Sequence, residues 1–238
     1  MIKNIKLLEL ELHSECNRKC SWCPNSLVDR TFYKELDETN FEKIINELIS
    51  QNYDGYISFS RYNEPFLNRE LLEKRISYIR SRLPSVKLIS NTNGDFNYEG
   101  IDLDELTVMD YDNTKVEEVS DNFRIMRLQN INNRAGVLTN IKCLKRVTPC
   151  YEPQYFVGID YDGSITPCCN IRHDVEAHKP YILGNIKDDS LINILNSDKA
   201  IKFREQVALG DFPDICKNCT KGPGRYTCDK PDIMGETS

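Results

Sequence analysis

The sequence lacks any apolar run long enough for a signal peptide or a membrane-spanning helix. It begins Met1-Ile2-Lys3-Asn4 and soon alternates leucine with glutamate as far as Leu12. It also lacks an excess of basic residues, because the formal net charge is −6 and the pI is about 5.3. Nucleic-acid-binding surfaces carry the opposite sign of charge. We therefore expect a cytoplasmic protein whose partners include neither a membrane nor a nucleic acid.

Tryptophan and histidine are scarce, with 1 and 3 residues, but the 238 residues include 10 cysteines. An even cysteine count implies disulfides only in a small secreted chain, and clustered cysteines in a cytosolic chain indicate metal binding or catalysis. Cys16, Cys20 and Cys23 have the spacing CX3CX2C and directly follow a strand-like run, Leu7 to Leu12. Three thiolates leave the fourth position of a zinc ion or a four-iron cluster to a distant ligand or to a bound molecule.

The first half of the chain alternates strand-like and helix-like patterns. The predicted strands are residues 7–12, 55–60, 86–90, 106–109 and 123–128. Two helical stripes lie between the first three strands: one runs from Phe41 to Ile49 behind the possible caps Asp37 and Thr39, and the other from Leu72 to Leu83 before Pro84. This order is typical of a parallel sheet with crossover helices. The later connections are too short for long helices, so we predict an abbreviated, open barrel.

The alternation of predicted strands and helices ends near residue 132. We place a domain boundary at residue 140, with one domain over 1–140 and another over 141–238. Residues 155–159 and 164–166 flank Asp160-Tyr161-Asp162-Gly163, which predicts a β-hairpin. The apolar residues Leu191, Ile194, Leu195, Ile201 and Phe203 predict a helix. A loop rich in cysteine, glycine and proline follows from Pro213 to Cys228.

The CX3CX2C loop after the first strand, with Trp22 before its last cysteine, resembles the signature of the radical S-adenosylmethionine (SAM) superfamily. That superfamily follows its second strand with a Gly-Gly-Glu-Pro-like turn, where this chain has Tyr62-Asn63-Glu64-Pro65. Its third strand ends near the SAM ribose, where this chain has Ser90-Asn91-Thr92-Asn93-Gly94. The resemblance implies that Cys16, Cys20 and Cys23 hold a [4Fe-4S] cluster whose fourth iron binds SAM. It implies SAM contacts from these residues: Trp22, Asn63, Glu64, Pro65, Ser90 and Asn93.

A second set of cysteines has the pattern CX12GX4C followed by a distant CX2C, which resembles the SPASM/Twitch auxiliary-cluster domains of the same superfamily. The four cysteines are Cys150, Cys168, Cys216 and Cys219. They suffice for one further [4Fe-4S] cluster, and the three remaining cysteines, Cys143, Cys169 and Cys228, are too few for another all-cysteine site. The shorter Twitch form is therefore favoured. The predicted fold class is α/β: a partial (β/α) TIM-like barrel of the radical SAM type with a small C-terminal hairpin-plus-helix auxiliary cluster domain.

A compact radical SAM core with a Twitch domain is similar to enzymes of the 2-deoxy-scyllo-inosamine dehydrogenase type. The resemblance places Arg134 beside a substrate hydroxyl and implies a radical SAM oxidoreductase. Such an enzyme cleaves SAM reductively to a 5′-deoxyadenosyl radical, abstracts hydrogen and oxidises a secondary alcohol of a sugar or aminocyclitol, with the auxiliary cluster accepting an electron. An ordinary salt bridge is the alternative for Arg134. Epimerisation or peptide modification is an alternative reaction.

A non-catalytic iron–sulfur or zinc-binding protein is the remaining alternative, and His13 is the nearest candidate for a fourth zinc ligand. The expected partners are a small-molecule substrate, or a peptide, and an electron donor of the flavodoxin or ferredoxin type, which the resemblance implies and no residue indicates. The substrate, the catalytic base, the oligomeric state and the roles of Cys143, Cys169 and Cys228 stay open.

Overall fold

The computed structural model describes residues 2–30, 32–115, 117–127, 132–139 and 145–221. Within these ranges the chain forms strands and helices in the alternating order that the sequence predicts for its first half. The strands are β1 Leu7–Leu10, β2 Tyr56–Ser58, β3 Lys87–Thr92, β4 Glu105–Asp110, β5 Glu118–Val119, β6 Phe123–Arg127, β7 Phe156–Ile159, β8 Ser164–Thr166 and β9 Gly184–Asn185. The helices are α1 Glu38–Ser50, α2 Arg69–Arg82, α3 Glu152–Tyr155, α4 Leu191–Asn196, α5 Asp198–Leu209 and α6 Asp214–Lys217.

The strands form one sheet in the order β5-β6-β4-β3-β2-β1-β7-β8-β9. From β6 to β7 neighbouring strands pair in parallel, whereas β5, β8 and β9 pair antiparallel at the two ends. The first strand lies inside the sheet, because Leu8 pairs with Ile57 of β2 on one side and with Val157 of β7 on the other. This parallel-dominant sheet with crossover helices confirms the predicted partial barrel.

The two faces of β1 have different environments, as the alternation of its residues requires. Leu8 and Leu10 belong to the main apolar core with Phe41 of α1 and Leu72 of α2, and all four are almost fully buried. Each such side chain contributes roughly 1.5–3 kcal/mol through its burial. Leu7 packs in a separate inner cluster with Ile89 and Phe156, so the opposite face of the strand, which also carries Glu9 and Glu11, points into the barrel.

Local signals account for the helix boundaries in the first half. Asp37 is the N-cap of α1 and accepts a hydrogen bond from the Asn40 amide at 3.2 Å, while Thr39 lies inside the helix. Asn68 caps α2 in the same way through the Leu71 amide at 3.1 Å. The helix α2 ends at Arg82, two residues before Pro84, as the sequence predicts.

The remaining elements differ from the prediction at several points, and the short helix α6 lies inside the loop predicted from Pro213 to Cys228. Tyr155 ends the short helix α3, so β7 begins one residue later than predicted. The predicted single helix over 191–203 is two helices, because Ser197 accepts a hydrogen bond from the Ala200 amide and caps α5. The short strand β5 was not predicted, because its two exposed residues carry no apolar alternation. Leu128, the last residue of the predicted fifth strand, lies outside the described residues.

The hairpin β7–β8 continues the barrel sheet, because β7 pairs in parallel with β1 over four residues. Residues 140–144 lie outside the described part of the chain, so the domain boundary at residue 140 stays a prediction. Among the described residues, no helix combines the length and the apolar character that crossing a membrane requires.

Candidate functional site

The first cysteine loop follows β1 at the carboxyl edge of the sheet. The Cys23 amide donates to the Cys20 carbonyl at 2.9 Å, and a short 3-10 helix, Pro24–Ser26, then closes the loop. All three thiols are partly buried. Burial raises the pKa of Cys16 to about 11 and also raises the pKa of Cys20. These groups are therefore thiols at neutral pH unless a bound metal stabilises the thiolates.

The spacing of the sulfur atoms distinguishes the two kinds of metal site. A tetrahedral zinc site with zinc–sulfur bonds of about 2.3 Å holds its sulfurs about 3.8 Å apart. Within the described residues, which include both predicted ligand sets, no three cysteine sulfurs all lie within 4.8 Å of one another. In a four-iron cluster each thiolate binds a different iron, and the sulfurs stand further apart. The described thiols therefore do not form a zinc site with three closely spaced sulfurs.

Two residues between the cysteines attach the loop to the ends of β3 and β4, which the sequence did not indicate. The Asn93 amide group donates to Asn17 at 2.8 Å, and Asn17 donates to Asp95 at 2.7 Å. The Arg18 guanidinium binds both Asp95, at 2.7 Å, and Asp112, also at 2.7 Å. These side-chain contacts hold the loop against the ends of β3 and β4.

The predicted turn after β2 lies next to this loop, and Glu64 joins the two. Its carboxylate accepts hydrogen bonds from Thr92 Oγ1 at 2.7 Å, the Asn93 amide at 2.8 Å and the Phe66 amide at 3.1 Å. Its own amide donates to the Glu15 carbonyl at 2.9 Å. Burial raises the pKa of Glu64, although these hydrogen bonds oppose the shift. The carboxylate therefore positions the turn, and a direct bond from it to SAM stays a prediction.

The remaining predicted SAM contacts lie at the same edge. Asn63 and Pro65 flank Glu64 and are buried, as are Ser90 and Asn93 in and just beyond β3. Asn63 accepts a hydrogen bond from the Arg61 amide through Oδ1, but its buried Nδ2 has no hydrogen-bond partner among the described residues. A buried amide left without a partner fits a site that a polar ligand completes. Trp22 stacks at a tilt against Tyr111, with ring centroids 5.6 Å apart.

The second cysteine set surrounds a small apolar cluster of Ile171, Phe203 and Val207. Cys150, Cys168 and Cys216 pack against this cluster, and the Cys219 amide donates to the Cys216 carbonyl at 3.2 Å. Burial raises the pKa of Cys168 well above its usual value, and the neighbouring thiols of Cys169, Cys216 and Cys219 raise it further. Cys216 responds in the same way to burial, Cys219 and Cys150, with a pKa of about 12. Cys168 and Cys216 are therefore each within electrostatic range of other members of the set, and ligation of one cluster by the four cysteines stays a prediction.

Arg134 lies between the two cysteine sets. Its backbone φ is +49°, in the left-handed region that few non-glycine residues adopt. The guanidinium stacks over Tyr62 at 5.8 Å and donates to Asn170 at 3.4 Å, while its buried Nε has no hydrogen-bond partner among the described residues. Burial on its own lowers the pKa of Arg134, but the surrounding Tyr62, Cys169 and Cys23 outweigh it, and the net pKa is raised. The residue is therefore a permanent cation with hydrogen-bonding capacity to spare.

A buried charge network on the inner face went unpredicted. Arg61 contacts Asp160 at the end of β7, Glu9 of β1 at 3.2 Å and Thr166 of β8 at 2.7 Å. Its side chain and that of Asp160 are fully buried, whereas 17% of the Glu9 side chain is exposed. Burial raises the pKa of Glu9 to about 7, although Arg61 lowers it. The alternation Leu7-Glu9-Glu11 was the available signal, because it places the acidic residues on one face of the strand.

Cys169 packs against the inner cluster of Leu7, Ile89 and Phe156. Its sulfur is 2.9 Å from Nζ of Lys221, and its carbonyl accepts a hydrogen bond from the Tyr62 hydroxyl at 2.6 Å. His13 is fully buried and accepts a hydrogen bond from the Glu15 amide at 3.3 Å. Cys143 and Cys228 lie outside the described residues.

Comparison with known proteins gives four results. Residues 150–220 match the SPASM family, an iron–sulfur cluster-binding domain. The chain is 28% identical over 241 residues to the S-adenosyl-L-methionine-dependent 2-deoxy-scyllo-inosamine dehydrogenase of Niallia circulans, with 92% of this chain and 94% of that protein covered. The crystal structure of BtrN in complex with AdoMet and 2-DOIA superposes with a TM-score of 0.79 at 26% identity, over 93% of this chain and 95% of that chain. Native anSMEcpe with bound AdoMet and Cp18Cys peptide shares the fold, with a TM-score of 0.58 at 13% identity over 95% and 91%.

Proposed function

We propose that this radical SAM enzyme oxidises a secondary alcohol of a small polar molecule, a sugar or an aminocyclitol, to a ketone. The observation that carries the proposal is the position of Arg134 between the two cysteine sets, with a buried Nε that no described residue satisfies. The similarity to the 2-deoxy-scyllo-inosamine dehydrogenase, which extends over nearly the full length of both chains, supports the substrate class.

The residues fit the cofactors that this chemistry needs. Cys16, Cys20 and Cys23 would hold the first [4Fe-4S] cluster, and the edge formed by Asn63, Glu64, Ser90 and Asn93, with Trp22 nearby, would hold SAM. Cys150, Cys168, Cys216 and Cys219 would hold the auxiliary [4Fe-4S] cluster. When bound, these groups supply the redox chemistry, which removes a hydrogen atom and then an electron from the alcohol, so that the C=O bond forms as the hydroxyl proton leaves.

Arg134 would bind and orient the substrate hydroxyl. Because its pKa is raised, the guanidinium stays protonated and donates a hydrogen bond to the hydroxyl oxygen rather than accepting the proton. A fixed positive charge beside that oxygen favours loss of the hydroxyl proton in a water-poor site. Glu9 would accept this proton, because it faces the inside of the barrel and its pKa of about 7 suits proton transfer near neutral pH.

The direct test uses anaerobically reconstituted protein, SAM, a reductant and 2-deoxy-scyllo-inosamine, with other aminocyclitols and sugars in parallel. We expect a ketone product with one 5′-deoxyadenosine per turnover. Arg134→Lys and Arg134→Met separate charge from the planar guanidinium, and both should lose ketone formation while they keep the wild-type iron content. SAM consumption without ketone formation across the whole panel would defeat the substrate assignment.

Epimerisation is a second candidate, favoured by the position of Cys169. Its thiol packs against the inner cluster, although it also neighbours Cys168, and from this position it would return a hydrogen atom to a substrate carbon. In D2O an epimerase would place deuterium on a carbon of the product, and Cys169→Ala would abolish this incorporation. A dehydrogenase would release a ketone in both the wild-type protein and the variant. Peptide modification would appear instead as a mass loss of two hydrogens from an added peptide.

An electron donor of the flavodoxin or ferredoxin type is part of the proposal. Turnover with such a protein donor and its reductase should replace turnover with a chemical reductant. The non-catalytic alternative is tested in the same preparation by its metal content. About eight irons per chain are expected from two four-iron clusters, and colourless protein that carries zinc would contradict the proposed function.

A further inference from the structure

Asn170 lies two residues after Cys168, and its side chain is almost completely buried, with 1% exposed. The two ends of its amide group contact different functional residues. Oδ1 accepts a hydrogen bond from Arg134 Nη1 at 3.4 Å, and Nδ2 donates to the sulfur of Cys219 at 3.7 Å. One small side chain therefore connects the residue that would bind the substrate hydroxyl to a ligand of the auxiliary site.

The backbone of Arg134 is attached to the same loop by its neighbour, Asn133. The Asn133 amide donates to Thr220 Oγ1 at 2.8 Å, and the Thr220 amide donates to Asn133 Oδ1 at 3.2 Å. The Asn133 side chain also donates to the Asn218 carbonyl at 2.6 Å. Asn133 is fully buried. Both the main chain and the guanidinium of Arg134 are thus tied to the segment that carries Cys216 and Cys219.

We propose that Asn170 is a positioning residue that orients Arg134 and, through its hydrogen bond to Cys219, raises the reduction potential of the auxiliary cluster. A donor to a ligating sulfur stabilises the extra negative charge of the reduced state, which makes the cluster a better electron acceptor. Because the amide is polarised as a unit, the bond to Arg134 and the bond to the sulfur strengthen each other. One side chain thereby sets both the reduction potential of the electron acceptor and the orientation of the hydroxyl-binding guanidinium of Arg134.

The part of this inference that concerns Arg134 rests on the proposed function, whereas the part that concerns the potential does not. The variants are designed to separate them. Asn170→Asp keeps an oxygen for Arg134 but replaces the N–H donor with a negatively charged acceptor beside Cys219. Asn170→Ser shortens the side chain and removes both contacts. Asn185→Asp is the matched control, because the Asn185 amide, in strand β9, donates to the Asp162 carbonyl and to Ser164 and, within the described part of the chain, has no hydrogen bond to a cysteine or to Arg134.

The measurement is an anaerobic redox titration of the reconstituted protein followed by electron paramagnetic resonance. The triple variant Cys16→Ala/Cys20→Ala/Cys23→Ala identifies the signal of the auxiliary cluster. We expect a more negative auxiliary potential in both Asn170 variants, with the larger shift in Asn170→Asp, and an unchanged potential in Asn185→Asp. With 2-deoxy-scyllo-inosamine as the probe, we expect KM to rise about threefold to tenfold in Asn170→Ser, and less in Asn170→Asp, where Arg134 keeps its acceptor.

An auxiliary potential that equals the wild-type value in both Asn170 variants, at wild-type iron content, overturns the proposal. An equal shift in Asn185→Asp also overturns it, because the effect would then follow any new charge in this part of the sheet. Loss of the auxiliary irons in both Asn170 variants would assign the residue to cluster retention and would overturn it as well. If the probe is not turned over by the wild-type protein, the substrate assignment fails while the potentials still decide the role of Asn170.

Discussion

Replacing Arg61 by methionine should destabilise the fold far more than the loss of an ordinary ion pair. Arg61 is fully buried and faces two carboxylates, Asp160 and Glu9, while it also donates to the Ile171 carbonyl at 2.6 Å. In Arg61→Met, Asp160 keeps its contacts with His173 but loses its buried cation. Removing one partner of a buried ion pair costs about 3–5 kcal/mol, because the other charge stays buried without compensation.

That cost corresponds to a lower Tm. For a chain of this size, 1 kcal/mol shifts Tm by roughly 2–4 °C, so Arg61→Met should lower Tm by about 6–20 °C. The assay is near-ultraviolet circular dichroism of anaerobically reconstituted protein at one fixed scan rate. The matched control is Arg80→Met, because Arg80 also pairs with two carboxylates, Asp102 at 3.3 Å and Asp104 at 2.9 Å, but 24% of the Arg80 side chain is exposed and its partners are 72% and 23% exposed. Exposed pairs contribute about 1 kcal/mol or less, so this variant should lose no more than about 4 °C.

The pH dependence gives the same prediction a second test. The folded-state pKa of Glu9 is raised to about 7 from an ordinary value of 4.5. The stability that Glu9 contributes is therefore full below pH 4.5 and is lost as the pH rises through about 7. Without Arg61 the pKa of Glu9 rises further, so this loss continues to a higher pH. The Tm difference between wild type and Arg61→Met should grow from pH 6 to pH 8. Equal Tm losses in Arg61→Met and Arg80→Met, at every pH, would refute the reasoning.

Three further predictions follow from single contacts. Gly158→Ala should lower Tm by about 2–12 °C, because a Cβ atom at Gly158 would lie 2.3 Å from Arg61 Nη1 and 2.5 Å from Thr166 Oγ1, and overpacking costs about 1–3 kcal/mol; an unchanged melting curve would contradict the close approach. Cys216→Ser should reduce the iron content from about eight to about four per chain, measured by a colorimetric iron assay, and full iron retention would remove Cys216 from the ligand set. Asp37→Ala should cost about 1 kcal/mol through loss of the α1 N-cap, seen as a Tm lower by about 2–4 °C, and a wild-type Tm would show that water replaces the cap.

The barrel elements could be predicted because their signals are local. The alternation of Leu7 to Leu12 and the cap at Asp37 each act within a few residues, and the structure places β1 and α1 where these patterns indicate. The split between α4 and α5 was also within reach. Ser197 followed by Asp198 is a typical helix start inside an otherwise continuous apolar pattern. In the structure the Ser197 hydroxyl accepts a hydrogen bond from the Ala200 amide, and a second helix begins there.

The network around Arg61 could not be predicted from the sequence. Its partner Asp160 is 99 residues away, and nothing near either residue indicates a buried pair. The contact exists because β7 returns beside β1 and β2, which is a property of the sheet order. Gly158 completes the arrangement, since only a residue without Cβ leaves space for the guanidinium. The position of Cys169 against the inner cluster could not be predicted for the same reason, because the sheet order brings the residues of that cluster together.

The pairing of β7 with β1 also has a consequence for the solubility of any shortened chain. Without β7, one whole side of β1 would present unpaired N–H and C=O groups next to an apolar inner cluster. Such open edges recruit other strands and lead to aggregation unless they are covered. In this protein the cover comes from the segment that brings the second set of cysteines, and the outermost strand beyond it, β9, is only two residues long. The segment from β7 to β9 thus protects the edge of the barrel sheet from pairing with other chains, in addition to any part it has in electron transfer.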